Sequence, residues 1–373
     1  MSIDGVVKVG VIGACGRGGG LAESIRHIGG ATVHAVCDVA ADRLPEAQEK
    51  LGAAEAWTDA EEMLDGSDLD AVIVGTPVAF HVPQSIMALE RGVHVLSEVP
   101  AAVSLEQCRE LVAAVNRSEA VYMMGENACW MKHVAMVTEM VDRGLFGEIY
   151  YGEGEYLHDL KARSETTVWR RSFLNGTDGI TYGTHALGPL LRWLGGDRIV
   201  SVCCEGSGHH MRDPGGEFYC QDTAVMLAKT AGGALLKIRD DMISNRPGCS
   251  NNYLIQGTTG TFDGDRYGYY KLDRMRVWAQ ALSEQHRWLT LEDLGDEYTS
   301  EGWLRWPDAE EKGKHLGADY VMLAEWVEML RGERPNPIDV HRAMDMTISC
   351  LVSQQSIQQG GVWLDVPNSR DWE

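Results

Sequence analysis

The chain predicts two domains: an α/β domain built on a parallel sheet, then an α+β domain with an open, mainly antiparallel sheet. Three observations carry that prediction. Up to Asn127, short β-rich runs alternate with stretches of helical periodicity. Beyond it, strand-like runs follow one another with little helix between them. A length of 373 residues also exceeds one ordinary domain, so two separate cores are expected. The boundary is placed at 127, giving domains 1–127 and 128–373.

In order, the first domain opens with the strand run "VVKVGVIG" and a helix over Gly19–Ile28. The strand "TVHAVCD" comes next, then the helix "ADRLPEAQEKLG", closed by Gly52. "DLDAVIVGTP" is a buried strand stopped by Pro77, "HVPQSIMALERG" a helix, and "VHVLSE" a strand. Ser104 caps the amphipathic helix "SLEQCRELVAAVNRS", and the strand "VYMMGE" ends the series. Such alternation implies right-handed crossovers and a parallel sheet covered on both faces. In the second domain, a helix near 132–143 precedes five strand runs, "EIYYGEGEYLHD", "IVSVCCEG", "DTAVMLAKT", "GALLKIRDDM" and "NYLIQGTTGTF". Two late helices, 318–330 and 341–358, close the chain.

Composition narrows the functional class. A formal net charge of −22 argues against a nucleic-acid or anionic-membrane partner, because either would need a basic face. No run of about 18 apolar residues suggests a membrane span. The start "MSIDGVVKVG" enters a strand directly, so no signal peptide is expected. Nine scattered cysteines contain no C-x-x-C spacing, and the adjacent Cys203 and Cys204 point to opposite faces of a strand. Reduced thiols in a cytoplasmic protein are the expectation. The pair His209-His210 does not make a metal site, since adjacent histidines rarely chelate one ion; no metal is expected.

The stretch "GVIGACGRGGG" has the composition of a dinucleotide cradle. Gly13 stands where the first strand must turn sharply, and Gly18 where helix and strand pack closely. Together they let backbone N–H groups face a pyrophosphate. Cys15 occupies the usual second glycine, and Gly16 beside it supplies the backbone freedom instead. Asp38 ends the second strand, where an acidic residue accepts hydrogen bonds from a ribose 2′-OH and repels a 2′-phosphate. No basic residue directly follows Asp38, although Arg43 is close, so NAD is favoured over NADP.

Further motifs sit at fixed places: "GTPVAFH" at the end of the run "DLDAVIVGTP", "SEVPAAVSLE" at the end of "VHVLSE" and "GENACW" at the end of "VYMMGE". With the second half, the chain resembles the glucose–fructose oxidoreductase/inositol dehydrogenase (Gfo/Idh/MocA) family. Members have an α/β Rossmann domain followed by an α+β domain whose open sheet often mediates oligomers. One branch is most similar, the NAD-dependent glycosidases of glycoside hydrolase family 109. The resemblance lies in "SEVPAA", "GEGEYLHDL", "VWRR", "TYGTHALGP", Tyr298 and "ADYVMLAEWVEMLR". Sugar dehydrogenases of the larger family carry Glu-Lys-Pro where this chain has Glu98-Val99-Pro100. They also place an aspartate where this chain has Thr181, four residues before His185.

The resemblance implies a cofactor site of Gly16, Arg17, Asp38, Thr76, Val78, Ala79, Phe80, His81, Glu98, Val99 and Asn127, added to Gly13 and Gly18. It implies that Tyr156, Arg170, Tyr182, Gly183, Thr184, His185 and Tyr298 line a sugar. The branch usually has proline where Gly183 stands, so the loop is expected to be freer here, and its usual tryptophan near Val78 is absent. A homo-oligomer through the second domain's sheet is also implied.

In that branch a hydride leaves C3 of the sugar for NAD, the resulting ketone acidifies C2–H, and the C1 substituent is eliminated. Water adds and the hydride returns, for net hydrolysis. Such a path needs groups for the C3 hydroxyl proton and for C2–H. Tyr182 and His185 lie three apart at the start of "YGTHALGPLLRWLG", on one face if that turn is helical, and are assigned proton transfer without a division of roles. His158 is either a third proton-transfer group or a histidine bonded to Asp159 or to backbone. Arg170 and Arg171 cannot both face inward on a strand; Arg170 is taken inward, with a surface ion pair as the alternative. Trp303 is read as packing, with stacking on a sugar as the second option. The competing functions are a plain dehydrogenase or glycoside 3-oxidase that releases oxidised sugar, and a non-catalytic sugar or nucleotide sensor.

Overall fold

The structure is a computed structural model that describes residues 3–170, 178–211, 220–268, 270–282 and 286–372. Its chain forms two compact units. The first holds Met1–Trp130, Arg305–Met344 and Ser369–Glu373; the second holds Met131–Leu304 and Asp345–Asn368.

In the first unit six parallel strands lie in the order β3-β2-β1-β4-β5-β6. They are β1 (Val7–Ile12), β2 (Ala31–Cys37), β3 (Glu55–Trp57), β4 (Ala71–Val74), β5 (His94–Ser97) and β6 (Tyr122–Met124). The interior strands β4 and β5 are buried along their whole length, as a sheet covered on both faces requires. Crossovers run through α1 (Arg17–Ala22), α2 (Leu44–Leu51), α3 (Ala60–Gly66), α4 (His81–Leu89) and α5 (Leu105–Arg117). Gly52 ends α2 at φ 68°, and the Ser104 hydroxyl accepts the Gln107 N–H to start α5. Two elements were not foreseen, β3 and α3. Asp59 marks α3 as its N-cap by accepting the N–H groups of Glu61 and Glu62. The helix expected over Gly19–Ile28 starts earlier, at Arg17, and its second part is a tighter 3-10 turn, Glu23–His27.

The division at 127 needs correction, because 305–344 and 369–373 return to the first unit. The physical reason lies at β6, the edge of the sheet. Met124 N–H donates to the Ile338 carbonyl at 3.1 Å, and Asn336 Nδ2 donates to the Tyr122 carbonyl at 2.8 Å. An open edge is thereby covered. The helix Ala318–Leu330 in this returning segment is buried at eleven of its thirteen positions, Asp319 among them.

The second unit is a nine-stranded sheet in the order β14-β13-β12-β11-β7-β10-β9-β8-β15. Its strands are β7 (Ile149–His158), β8 (Ile199–Gly206), β9 (Ala224–Thr230), β10 (Leu235–Asp241), β11 (Cys249–Gly257), β12 (Gly260–Asp263), β13 (Arg276–Ala279), β14 (Leu289–Thr290) and β15 (Leu364–Asp365). Only the central β7–β10 pair is parallel; the other pairs are antiparallel. The single run expected over "NYLIQGTTGTF" is two strands, β11 and β12, joined by a turn at Thr258-Thr259. Cys203 and Cys204 alternate on β8 as expected, half-buried and buried. All nine cysteines are free.

Helices α6 (Lys132–Asp142), α7 (Lys161–Thr166) and α8 (Thr184–Trp193) complete the part of this unit that matters below. Close approach of α8 to β7 depends on Gly154, where a Cβ would lie 2.3 Å from the Ala186 carbonyl oxygen. A side chain there would push α8 off the sheet, and with it the residues at its start. Among the described residues, no helix is long and apolar enough to cross a membrane.

Candidate functional site

The glycine cradle of the first unit is built as tightly as its sequence suggests. Gly13 has φ 88°, and a Cβ there would stand 2.7 Å from the Gly75 carbonyl oxygen. At Gly18 a Cβ would meet the Gly13 carbonyl oxygen at 2.9 Å. Both positions exclude side chains, so the backbone after β1 stays bare, as a pyrophosphate loop must. Gly16 is different: a Cβ would find its nearest neighbour at 3.8 Å, so space alone does not demand glycine. Cys15 belongs to the scaffold, because its N–H donates to Asp38 Oδ2 at 2.8 Å. Ala40 N–H donates to Asp38 Oδ1 at 2.9 Å. These two bonds hold the Asp38 carboxylate at the end of β2 and leave each oxygen a further lone pair for a ribose hydroxyl.

The loops after β4 and β5 are tied together by His81. Its ring is 2% exposed, with Nδ1 2.9 Å from the Pro100 carbonyl oxygen and Nε2 2.9 Å from that of Thr76. Burial pushes its pKa down, against the pull of those two carbonyls. A neutral ring carries one N–H, so His81 donates to one of the two carbonyls and packs its other nitrogen against the second, lying between the two loops. Thr76 donates its hydroxyl to Gln84 Oε1 at 2.6 Å, and the Ala79 carbonyl accepts Gln107 Nε2 at 3.2 Å. Val78 and Val99 are buried while the neighbouring Phe80 ring is 53% exposed.

Arg17 and Asn127 converge on a carboxylate that sequence reading passed over, and Glu98 pairs with the same arginine. Asp319, fully buried, accepts Arg17 Nη1 at 2.6 Å, Arg17 Nη2 at 3.2 Å and Asn127 Nδ2 at 2.7 Å. His315 Nδ1 lies 3.0 Å from the same group, and Arg17 Nε stands 2.7 Å from Glu98 Oε1. Burial alone would raise the Asp319 carboxyl, but Arg17 and His315 hold it well below the usual carboxylate range. It is therefore a permanent anion. Its signal was present in "ADYVMLAEWVEMLR", as a charge one residue into an otherwise apolar helix start.

In the second unit, four rings gather where β7 ends and α8 begins. Tyr182 and His185 have ring centroids 4.9 Å apart at an interplanar angle of 76°. Tyr156 lies 4.9 Å from His185 and 5.5 Å from Tyr182. Tyr156 Oη and His158 Nδ1 are hydrogen-bonded at 2.9 Å, so His158 pairs with neither Asp159 nor backbone as its side-chain partner. Burial, then Arg163, Arg170 and His185, push His158 down to about 4, which leaves it neutral near pH 7. Tyr156, buried beside other acidic groups, is held well above its ordinary value. The carbonyl of His185 accepts the Tyr253 hydroxyl at 2.6 Å, which fixes the first turn of α8.

The turn carrying Tyr182 rests on Asp240, a second residue that sequence reading missed. Tyr182 N–H donates to Asp240 Oδ2 at 3.0 Å. Period-two alternation already puts Asp240 on the buried face of β10 with Leu236 and Ile238. The freedom expected at Gly183 is not there. A Cβ at that position would stand 2.2 Å from Ile180 Cγ2 and 2.8 Å from Cys350 Sγ. Glycine is present because the turn is packed from below, at an ordinary φ of −72°. Thr184 is fully buried, and its hydroxyl has no partner among the described residues.

Arg170 is on a helical turn after α7, not on a strand, so the argument about inward and outward alternation does not apply to it. Its guanidinium stacks 4.5 Å from the Trp169 ring centroid, and its charge reaches His158. Arg171 lies outside the described residues. The buried Tyr298 ring carries the Arg143 guanidinium at 4.9 Å, beyond the C-terminal end of α6. Trp303 is 4% exposed with Lys132 Nζ 5.8 Å from its ring centroid, as a packing residue would be.

Known proteins resemble both parts. Residues 7–126 match the NAD-binding Rossmann fold of an oxidoreductase family, and residues 130–371 match the C-terminal domain of glycosyl hydrolase 109. An alpha-N-acetylgalactosaminidase of Shewanella oneidensis is 30% identical over 97% of this chain and 85% of its own length. A glycosyl hydrolase family 109 protein of Shewanella pealeana is 29% identical with the same coverage. Among solved structures, a levoglucosan dehydrogenase in complex with NADH and L-sorbose superposes with a TM-score of 0.81 at 18% identity, covering 98% of this chain and 100% of the other. With the cradle, the ring cluster and these matches in agreement, the chain belongs to glycosyl hydrolase family 109, built on an NAD-binding oxidoreductase fold.

Proposed function

We propose that the chain is an NAD-dependent glycosidase that releases a sugar by transient oxidation at C3, elimination, water addition and re-reduction. The cradle fits the cofactor: Gly13 and Gly18 have no space for a side chain, and Asp38 is held with lone pairs to spare. When bound, NAD supplies acceptance and return of the C3 hydride. Proton handling falls to the second unit, and the observation that carries the reading is the meeting of Tyr182 and His185 at 4.9 Å. Tyr156 and His158 are both held neutral, so their bonded pair shapes the site and orients a hydroxyl instead of serving as an ionised base. His185 and Tyr182 are left to exchange protons with the C3 hydroxyl and C2–H. Arg170, with its charge near His158, is assigned to an oxygen of the substrate. Tyr298, with Arg143 on its ring, is assigned to the sugar as the family resemblance implies.

Because a relative is named an alpha-N-acetylgalactosaminidase, an α-linked N-acetylgalactosaminide is the first substrate to try. The test is a panel of nitrophenyl glycosides with NAD, following aglycone and NADH together. Aglycone release without accumulating NADH is expected, and Tyr182→Phe or His185→Ala should suppress it. NADH formed in proportion to an oxidised product, with no aglycone, would replace this reading with a plain dehydrogenase. Bound NAD with no turnover, indifferent to both substitutions, would point to a sensor.

A further inference from the structure

We propose that Asp240 is a positioning residue for the Tyr182/His185 pair, holding the turn through the Tyr182 N–H and setting a buried carboxyl group against the ring cluster. The inference deepens the glycosidase reading and rests on it for its functional meaning. Three observations support it. Asp240 stands opposite Tyr156 in the parallel β7–β10 register, which puts it beneath the ring cluster. Its Oδ2 is committed to the Tyr182 amide, while its buried Oδ1 has no hydrogen-bond partner among the described residues. Tyr182, whose N–H it accepts, has its ring centroid 4.9 Å from that of His185.

A buried carboxylate with one oxygen unmatched is costly unless something offsets it. The groups facing Asp240 show what can do so. Tyr156 on β7, Cys204 on β8, Cys220 before β9 and Cys350 on the late helix all act on it as potential anions. Burial pushes Cys204 and Cys220 up to about 12, and raises Tyr156 and Cys350 as well, so these four are neutral near pH 7. Asp241, next on β10, is also raised by burial, but its carboxyl is bonded to Thr223. His185, when protonated, answers Asp240 with a positive charge. Burial pushes Asp240 itself up to about 7, against the Tyr182 amide, so its ionisation falls in the working range of an imidazole.

The test uses the full chain labelled in histidine and followed by NMR against pH, with His185 assigned by loss of its signal in His185→Gln. In Asp240→Asn the amide oxygen still accepts the Tyr182 N–H, but the charge is gone. The His185 midpoint is expected to fall by about one pH unit or more, the size of an opposite charge at close range. An unmoved midpoint in a folded variant overturns the proposal. Should the variant fail to fold, aspartate-labelled wild type decides: Asp240 and His185 must share titration steps, and independent curves overturn it. Neither measurement needs turnover. Failure of the glycoside panel would remove the glycosidase reading alone, whereas an unmoved His185 would remove the role of Asp240 alone.

Discussion

Asp319→Ala is the most severe single change that the first unit predicts short of the glycines. The substitution removes the acceptor of two Arg17 N–H groups and one Asn127 N–H, and the partner of His315. Arg17 keeps Glu98, at 2.7 Å, and the buried Asn127 amide loses the acceptor of its 2.7 Å bond. Taking one member from a buried pair costs about 3–5 kcal/mol, mostly because the other charge stays behind. For a unit of this size, a melting midpoint moves by about 2–4 °C per kcal/mol, so a fall of about 6–20 °C is expected. NAD affinity should drop with it, since Arg17 and Asn127 lose their registration. Thermal melts with and without NAD, and a double-mutant cycle with Arg17→Met, measure both effects. The pH dependence has a definite sign. The folded carboxyl is held below its unfolded value of about 3.9, so its contribution is complete above that pH and disappears as pH falls below it. The wild-type advantage over Asp319→Asn should therefore be full at neutral pH and shrink in acid. An Asp319→Ala protein within about 0.5 kcal/mol of wild type, with unchanged NAD binding, would refute the reasoning.

Two further outcomes follow from the cradle and the turn. Gly13→Val should abolish NAD binding, because φ 88° and the Gly75 carbonyl at 2.7 Å both exclude a branched side chain; Cys15→Gly should retain it, since the Cys15 contribution to Asp38 is a backbone N–H. Isothermal titration with NAD distinguishes the pair. Gly183→Ala should lower the melting midpoint, because its Cβ meets Ile180 and Cys350, and Cys350→Ala should partly restore it by opening one side. A Gly183→Ala protein as stable as wild type would show that the turn is loosely packed after all.

How much of this was legible beforehand depended on how local the physics is. Asp38 and Gly13 declared themselves because a strand end and a positive-φ turn are decided by a few neighbouring residues. β3, β13, β14 and β15 did not, since strands of two to four residues, at a sheet edge or next to one, carry almost no periodicity. Asp240 was readable in principle from alternation along β10, but the adjacent Asp241 made the pair look like a solvated strand end. Gly183 was misread because glycine was taken as a source of freedom, when close packing explains it equally well.

By itself the sequence determined the two kinds of sheet, the glycine loop, the terminal aspartate of β2 and the pairing of Tyr182 with His185 at one turn. Each depends on contacts within a few residues or on a repeating pattern of burial. Tertiary structure decided what surrounds those groups. It brought Asp319 to Arg17 across 302 positions of chain and set Asp240 under the Tyr182 turn. It also returned 305–344 to the first unit to cover the edge at β6. A buried charge is tolerated only where distant partners meet it, and no local pattern of residues records where the chain will come back.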